Sequence, residues 1–300
     1  PEQLVIVRLF QGFASGLWPM DLAIMTLYAP RERLGFSLGI LQGTLTAGGV
    51  VGPLLGGVLA EAFGMRASFY IGGLALFINF LAFTFIIKEP PMPTDATPLT
   101  AEEQNPWHLW HIPILRTMMV VSTLAQMVNF VLMPVITTYI KYLAGDMENI
   151  VFVAGLVFSL GGIAGAIAAP FWGILGTRRS YFTAMCLAMS CAGIMLTLQG
   201  IPDTLVPFAV MQFGVGLFLA GVQPSLNAVI AQHTPARLKG SVFGMLFAAQ
   251  QVGGFTGPLL GGAVATYLGM HYLFPTVGGL LLVLALFVWW RYIHKRGTEI

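Results

Sequence analysis

Long apolar stretches, separated by short polar segments, make up most of the chain. An α-helix needs about 20 consecutive apolar residues to cross the hydrocarbon core of a bilayer. Runs of that length predict membrane-spanning helices, and several runs are longer, so we expect tilted helices. The predicted spans are residues 3–28, 36–61, 68–87, 114–141, 151–175, 181–200, 205–232, 241–267 and 272–293.

One long polar stretch interrupts this pattern, from Lys88 to Pro113. Six of its residues are prolines, which is typical of an extended linker. Three predicted spans precede the stretch and six follow it. The pattern therefore predicts a central cytoplasmic linker at 89–113, which joins two helix bundles at 1–88 and 114–300.

The composition excludes a soluble globular domain. Apolar residues make up 57% of the chain and charged residues 9%, whereas charged residues normally reach about 25% in soluble domains. The sequence has no P-loop, no H-E-x-x-H and no G-x-S-x-G pattern, and its five histidines are scattered. We therefore expect no enzyme, no cofactor, no metal site and no nucleic-acid partner.

Basic residues fall mainly in alternate loops or at their edges. Eleven of the fourteen Lys and Arg residues share one predicted side of the membrane: Arg31, Arg33, Lys88, Arg116, Arg178, Arg179, Arg237, Lys239, Arg291, Lys295 and Arg296. Arg66 and Lys141 lie on the other side, and Arg8 lies within a span. By the positive-inside rule the basic side is cytoplasmic. This predicts a multi-pass protein of the plasma or inner cell membrane with a cytoplasmic C-terminus.

The chain contains an internal repeat. Residues 16–73 align without gaps to residues 221–278, with 20 identities in 58 positions. Ten identities are glycines and three are prolines, which indicates shared backbone geometry. The repeat pairs the first three spans with the last three. We therefore expect two six-helix bundles, the first of them represented here by three helices.

A glycine-rich stretch at 39–57 lies within this repeat. Gly48, Gly52 and Gly56 stand four residues apart on one helical face, a spacing that lets two membrane helices approach closely. Pro53 cannot donate a hydrogen bond to the preceding turn, so we expect a bend there. The same spacing returns in the second copy at Gly244, Gly253, Gly257, Pro258, Gly261 and Gly262.

The spacing G-x8-G-x3-G-P-x2-G-G resembles the antiporter motif of drug/proton antiporters in the major facilitator superfamily. It is complete here at Gly39, Gly48, Gly52, Pro53, Gly56 and Gly57. The preceding span carries Arg8-Leu-Phe-Gln11-Gly12, similar to the R-x-x-Q-G motif of helix four in that family. The sequence from Gly173 to Arg179 resembles the family's G-x-L-x-D-R-x-G-R loop in an incomplete form. Thr177 stands at the acidic position, and Tyr181 stands at that of the second Arg.

The resemblance covers the chain as helices four to twelve of that family. It implies an all-α integral membrane protein with the major facilitator fold, in which two pseudo-symmetric bundles rock around a central cavity. It also implies secondary active transport, with protons and small lipophilic or cationic drugs as the transported partners. We expect a monomer in the lipid bilayer.

Two ionisable residues lie well inside predicted spans. An Arg near the bilayer centre usually faces protein or a water-filled cavity, and the family resemblance implies that Arg8 takes part in proton handling. The alternative is that Arg8 snorkels to the outer surface. Asp21 lies on the same span, nearer the cytoplasmic side. It is a candidate proton carrier or anchor for cationic substrates, or else an acid solvated from the cytoplasmic mouth of the cavity.

Other polar and aromatic residues in the spans are candidate substrate contacts. Hydrogen-bonding groups in hydrocarbon usually find protein or water, so these residues either line a cavity or bond between helices. Amide, Met and aromatic side chains can repack around varied lipophilic ligands. The candidates are Gln11, Gly12, Trp18, Gln126, Asn129, Phe130, Met133 and Gln212.

These observations favour a secondary transporter that exports lipophilic, often cationic compounds against proton entry. One alternative is a major facilitator for a specific metabolite or sugar. A second alternative is a non-transporting membrane scaffold, which loss of solute flux with retained folding would favour.

Overall fold

The computed structural model describes residues 2–13, 16–86, 110–145 and 150–294. These residues form α-helices and short helical turns, with no β-strand among them. Before the polar stretch the helices are α1 (Glu2–Phe13), α2 (Leu17–Tyr28), α3 (Leu34–Phe63) and α4 (Met65–Ile86). After it they are α5 (Pro113–Val131), α6 (Met133–Ala144), α7 (Ile150–Arg178), α8 (Tyr181–Gln199), α9 (Leu205–Leu219), α10 (Val222–Gln232), α11 (Lys239–Tyr267) and α12 (Met270–Trp289).

Each predicted span coincides with one of these helices or with two in succession, which confirms the all-α membrane fold. Seven described helical segments are long and apolar enough to cross a membrane. The greater part of the predicted linker at 89–113 lies outside the described residues.

The predicted spans are not all single helices. The span 114–141 divides into α5 and α6 at Leu132, and the span 205–232 divides into α9 and α10 after Leu219. The span 3–28 likewise holds both α1 and α2. The second helix of each pair has a proline among its first three residues, at Pro134, Pro224 and Pro19 respectively. Because proline has no N–H group, it suits the first turn of a helix and interrupts a longer one.

The internal repeat is confirmed in the backbone. Helices α2 and α10 begin at equivalent positions of the repeat, as do α3 and α11. Pro30 and Pro235 precede the same short turn with nearly equal angles, φ −56° and ψ 145° against φ −54° and ψ 145°. Gly64 and Gly269, which precede α4 and α12, both have positive φ, +84° and +98°. Glycine adopts this conformation at little cost, so the shared glycines preserve the tight connection.

Glycines bring α3 into backbone contact with α7. A Cβ atom at Gly39 would lie 2.5 Å from the carbonyl oxygen of Ala169, and one at Gly43 would lie 2.8 Å from that of Ala166. No side chain fits at either position without displacing the facing backbone. The contact is therefore a close approach of the kind that small residues permit between membrane helices.

The second copy of the glycine stretch makes the predicted close approach. In α11, Gly253, Gly257 and Gly261 face the backbone of α5, and a Cβ atom at Gly257 would lie 2.8 Å from the carbonyl oxygen of Met127. The first copy differs. In α3 no atom of the described residues lies within 4 Å of a Cβ position at the aligned glycines, which are Gly48, Gly52 and Gly56.

Most of the buried core lies after the polar stretch, around α8, which packs against α9, α10 and α12. Leu22 of α2 and Leu38 of α3 also belong to it. Met118 and Met119 of α5, Met185 and Met189 of α8 and Phe243 of α11 are at most 1% exposed. The thioether side chains fill irregular gaps between helices because they are unbranched and flexible. In contrast, none of the residues of α4 is buried.

Candidate substrate cavity

A cavity of about 350 Å³ lies between α3 on one side and α5, α7, α9 and α10 on the other. This volume is within the range of about 300–1,000 Å³ that is common for small-molecule sites. Glycines of α3, α7 and α9 form part of its lining, at Gly49, Gly161, Gly162, Gly165 and Gly216. Among the described lining residues none is charged, and the polar ones are Gln42, Thr46, Asn129, Gln212 and Gln223.

Gln212 of α9 is positioned by a buried amide partner. Its Oε1 atom accepts a hydrogen bond of 2.7 Å from Nε2 of Gln199, which is fully buried at the end of α8. Gly161 of α7 leaves room for this amide, since a Cβ atom there would lie 3.0 Å from Nε2 of Gln212. Three helices therefore hold Gln212 at the cavity wall.

Gln223, near the start of α10, is held by α11 and α5. Nε2 of Gln250 donates to Oε1 of Gln223 at 3.2 Å and to Oγ of Ser122 at 2.8 Å. Ser122 is fully buried and Gln250 is 7% exposed. The Nε2 atom of Gln223 is itself buried and has no hydrogen-bond partner within the described ranges.

The predicted substrate contacts after the linker have different surroundings. Asn129 and Gln212 line the cavity, whereas Gln126 is not among the described residues that line it. Phe130 packs against the glycine face of α11. Met133 is the first residue of α6, and its side chain lies outside what the structure describes.

The predicted contacts before the linker and both proton-coupling candidates lie on α1 and α2, apart from the described cavity lining. Nη1 of Arg8 donates to Oε1 of Gln11 at 3.0 Å, and both side chains are exposed, as is Gly12. Trp18 is half-buried and packs against the main core. Asp21 is half-buried on α2.

The antiporter motif contributes to the site mainly through packing. Gly39 contacts α7. In contrast, Gly48, Gly52, Gly56 and Gly57 have no described atom within 4 Å of a Cβ position. In the second copy the same openness holds for Gly244 and Gly262. Pro53 and Pro258 each lie inside a continuous helix.

The basic ends of α2 and α11 are joined by a lysine. Nζ of Lys239 donates to the carbonyl oxygen of Thr26 at 2.7 Å. Burial lowers the pKa of the Lys239 amino group below its ordinary value, and the positive charge of nearby Arg31 lowers it further. The bond therefore links the two repeat copies at the end where the loop cations lie.

At the same end, an uncharged pair occupies the loop that resembles a charged family motif. The hydroxyl oxygens of Thr177 and Tyr181 lie 3.1 Å apart, and Thr177 also donates to the carbonyl oxygen of Gly173 at 3.0 Å. Gly35 of α3 lies against this pair, because a Cβ atom there would be 2.6 Å from Oγ1 of Thr177. The loop thus contacts α3 through a hydroxyl group and an aromatic ring.

Sequence reasoning did not select several of the cavity residues. Gln42 and Thr46 lie on α3, and Gln223 occupies the repeat position equivalent to Trp18. Amides in apolar spans are a usable signal, since they need a partner in hydrocarbon. That signal does not say which amides face the same space.

Membrane-spanning helices, an internal repeat and a cavity bordered by both repeat copies are features of membrane transporters. The Major Facilitator Superfamily model matches residues 1–256 and 118–299. The chain therefore belongs to the Major Facilitator Superfamily, and it is a multi-pass membrane protein.

Curated relatives include multidrug resistance proteins. The chain is 28% identical over 287 residues to Multidrug resistance protein MdtG of Salmonella typhimurium, covering 96% of this chain and 71% of the relative. It is 26% identical over 298 residues to Multidrug resistance protein MdtG of Dickeya zeae, covering 99% and 73%.

Solved structures of other transporters share the fold. The human organic anion transporter MFSD10 (TETRAN) matches with a TM-score of 0.71 and 19% identity, over 90% of this chain and 67% of that one. The proton:xylose symporter XylE matches with a TM-score of 0.66 and 14% identity, over 91% and 66%. At these identities the similarity shows the fold.

Proposed function

We propose that the protein exports lipophilic, often cationic compounds across the cell membrane in exchange for protons, by alternating access. The observation that carries this proposal is the cavity, whose described lining combines apolar side chains, glycines and neutral amides. A flexible wall of that composition accommodates solutes of varied shape. The multidrug resistance proteins among the relatives support the same function.

Alternating access requires the helices around a cavity to close at one end at a time. Helices α3 and α7 touch at Gly39 and Ala169, and the cavity lies further along α3, from Gln42 to Val50. We propose that this contact is the closed end in the present conformation. The moving bodies would be residues 1–88 and 114–300, joined by the linker 89–113.

The placement of cations supports an orientation for this exchange. The basic helix ends that include Arg31 and Lys239 would face the cytoplasm, together with the C-terminus. The protein would then act as a monomer in the plasma or inner membrane and move its solutes outward.

Proton entry would supply the energy. One proton that moves inward down a potential of 100 mV releases about 2.3 kcal/mol. Arg8 and Asp21 are the proposed proton-handling residues, because they are ionisable groups within the first span. The glycines of the antiporter motif would let α3 move against its neighbours.

A dye-retention assay tests the proposal. Energised cells that express the protein are loaded with a neutral, lipophilic fluorescent dye, and cellular fluorescence is followed before and after an uncoupler is added. We expect faster dye loss than in cells with an empty vector, and we expect the uncoupler to abolish the difference.

Two results would contradict the proposal. Dye loss equal to that of empty cells, with the protein present in the membrane, would favour a carrier for a specific metabolite or sugar. Faster dye loss that persists after the uncoupler would exclude coupling to protons.

A further inference from the structure

Two glutamines on the α9–α10 wall of the cavity have their amide oxygens engaged by other side chains. Oε1 of Gln212 accepts from Gln199 at 2.7 Å, and Oε1 of Gln223 accepts from Gln250 at 3.2 Å. Each oxygen therefore already has a donor, and the amide nitrogen is the hydrogen-bond donor that each glutamine can add.

Of the two amide nitrogens, that of Gln223 is the more informative about a bound molecule. Its Nε2 atom is buried and has no hydrogen-bond partner within the described ranges. Its Oε1 atom is held by Gln250, which is anchored on the other side by the buried Ser122. Buried polar atoms in proteins almost always have a partner. A buried donor without one, on a residue that lines a cavity, indicates where a bound molecule supplies an acceptor.

The rest of the described lining bears on the charge of that molecule. It contains no carboxylate to balance a cation and no Lys or Arg to balance an anion. On α5, Asn129 uses its amide nitrogen to donate to the carbonyl oxygen of Ala125 at 3.2 Å. A charged group in this mainly apolar space would be desolvated without a counter-charge, which is strongly unfavourable.

We propose that the cavity binds neutral, mostly apolar molecules that carry a hydrogen-bond-accepting oxygen, such as aromatic ketones. Gln223 is the specificity-determining residue, because its Nε2 atom donates to that oxygen. The inference rests on the proposed function, since it assigns a class of solute to the proposed transport cavity. Among the lipophilic compounds of the proposed function, it restricts the solutes of this cavity to neutral ones.

Binding of benzophenone to the purified protein in lipid nanodiscs tests this. Benzophenone is an aromatic ketone and a photolabel, and diphenylmethane has the same two rings without the oxygen. Labelling is measured against benzophenone concentration, with diphenylmethane or tetraphenylphosphonium as competitor, and is corrected for partition into empty nanodiscs. We expect benzophenone to bind about fivefold more tightly than diphenylmethane, as one hydrogen bond allows, and to label helices that line the cavity.

Gln223→Met retains the size and flexibility of the side chain but removes the donor. We expect it to abolish the preference for benzophenone over diphenylmethane. Gln251→Met, on the exposed side of α11, is the matched control and should retain the preference. If Gln223→Met lowers the melting temperature too far for assay, the wild-type preference and the labelled positions decide the matter alone.

Three results would overturn the inference: equal affinity for the two compounds, labelling confined to α4 or α12, or a preference that survives Gln223→Met. Competition by tetraphenylphosphonium as strong as that by benzophenone would overturn the neutral class. These binding measurements need no proton gradient or flux. A failure of proton-coupled efflux is therefore distinguishable from a failure of this inference.

Discussion

Arg8 is the cation that the structure places within the first predicted span. Its guanidinium group donates to Gln11 one turn later, and both side chains are exposed on α1. The position equivalent to Arg8 in the second half of the chain is Phe213. The repeated fold does not need a cation at this position, and a charged side chain within a membrane span costs free energy. A functional role would explain why Arg8 is present.

We expect Arg8→Ala to reduce uncoupler-sensitive dye efflux to the level of empty cells. The change removes one exposed hydrogen bond, so expression and melting temperature should stay close to those of the wild type. Arg8→Lys keeps the positive charge and should retain part of the efflux. Undiminished efflux in Arg8→Ala would remove this residue from the mechanism.

At the scale of helices, two adjacent glycines of α11 have different surroundings. Gly261 faces the backbone of α5, where a Cβ atom would collide with the carbonyl group of Val131. Its neighbour Gly262 has no atom within 4 Å of the Cβ position in the described structure. Adjacent positions with the same residue thus differ in packing alone.

We expect Gly261→Ala to lower the free energy of unfolding by about 1–3 kcal/mol, the usual cost of overpacking. Gly262→Ala should leave it unchanged or raise it by up to about 1 kcal/mol, because alanine is the better helix former. Thermal denaturation of the two purified variants in detergent compares them directly. Equal decreases in melting temperature would contradict the close α5–α11 contact.

At the scale of the whole molecule, the cavity is bordered by α3 from before the linker and by α7 from after it. Val50 and Gly162 face each other there, and a Cβ atom on Gly162 would lie 3.7 Å from Cβ of Val50. That separation suits a disulfide bond. Transport by alternating access requires these two helices to change their separation.

We expect Val50→Cys combined with Gly162→Cys to form a disulfide under mild oxidation and to abolish dye efflux. A reductant should restore the efflux. The background carries Cys186→Ala and Cys191→Ala, since both native cysteines are unpaired. Each single cysteine variant serves as a control and should transport before and after oxidation. Unchanged efflux with the disulfide formed would exclude rocking about α3 and α7.

Much of the fold follows from the sequence because membrane helices are defined locally. A run of apolar residues must form a helix in lipid, where each backbone group needs an internal partner. The sequence also gives the offset between the two copies of the repeat, since Pro30 and Gly64 recur as Pro235 and Gly269. The superfamily follows from the complete antiporter motif between Gly39 and Gly57.

The candidate site was only partly predictable, and the residues show why. Asn129 and Gln212 line the cavity, but Gln223 is distinguished only by its contact with Gln250, which lies 27 positions away. An amide in an apolar span needs a partner wherever it points. Its sequence neighbours do not say whether that partner is another helix or a cavity.

The sequence by itself thus determined the helices, their repeat and their superfamily, because hydrophobic length, proline and glycine act on the chain within a few turns. The tertiary structure alone decided which glycine face of α3 touches α7, which amides surround one cavity, and which donor there lacks a partner among the described residues. Those properties depend on contacts between residues distant in the chain. Such contacts are set by how whole helices pack.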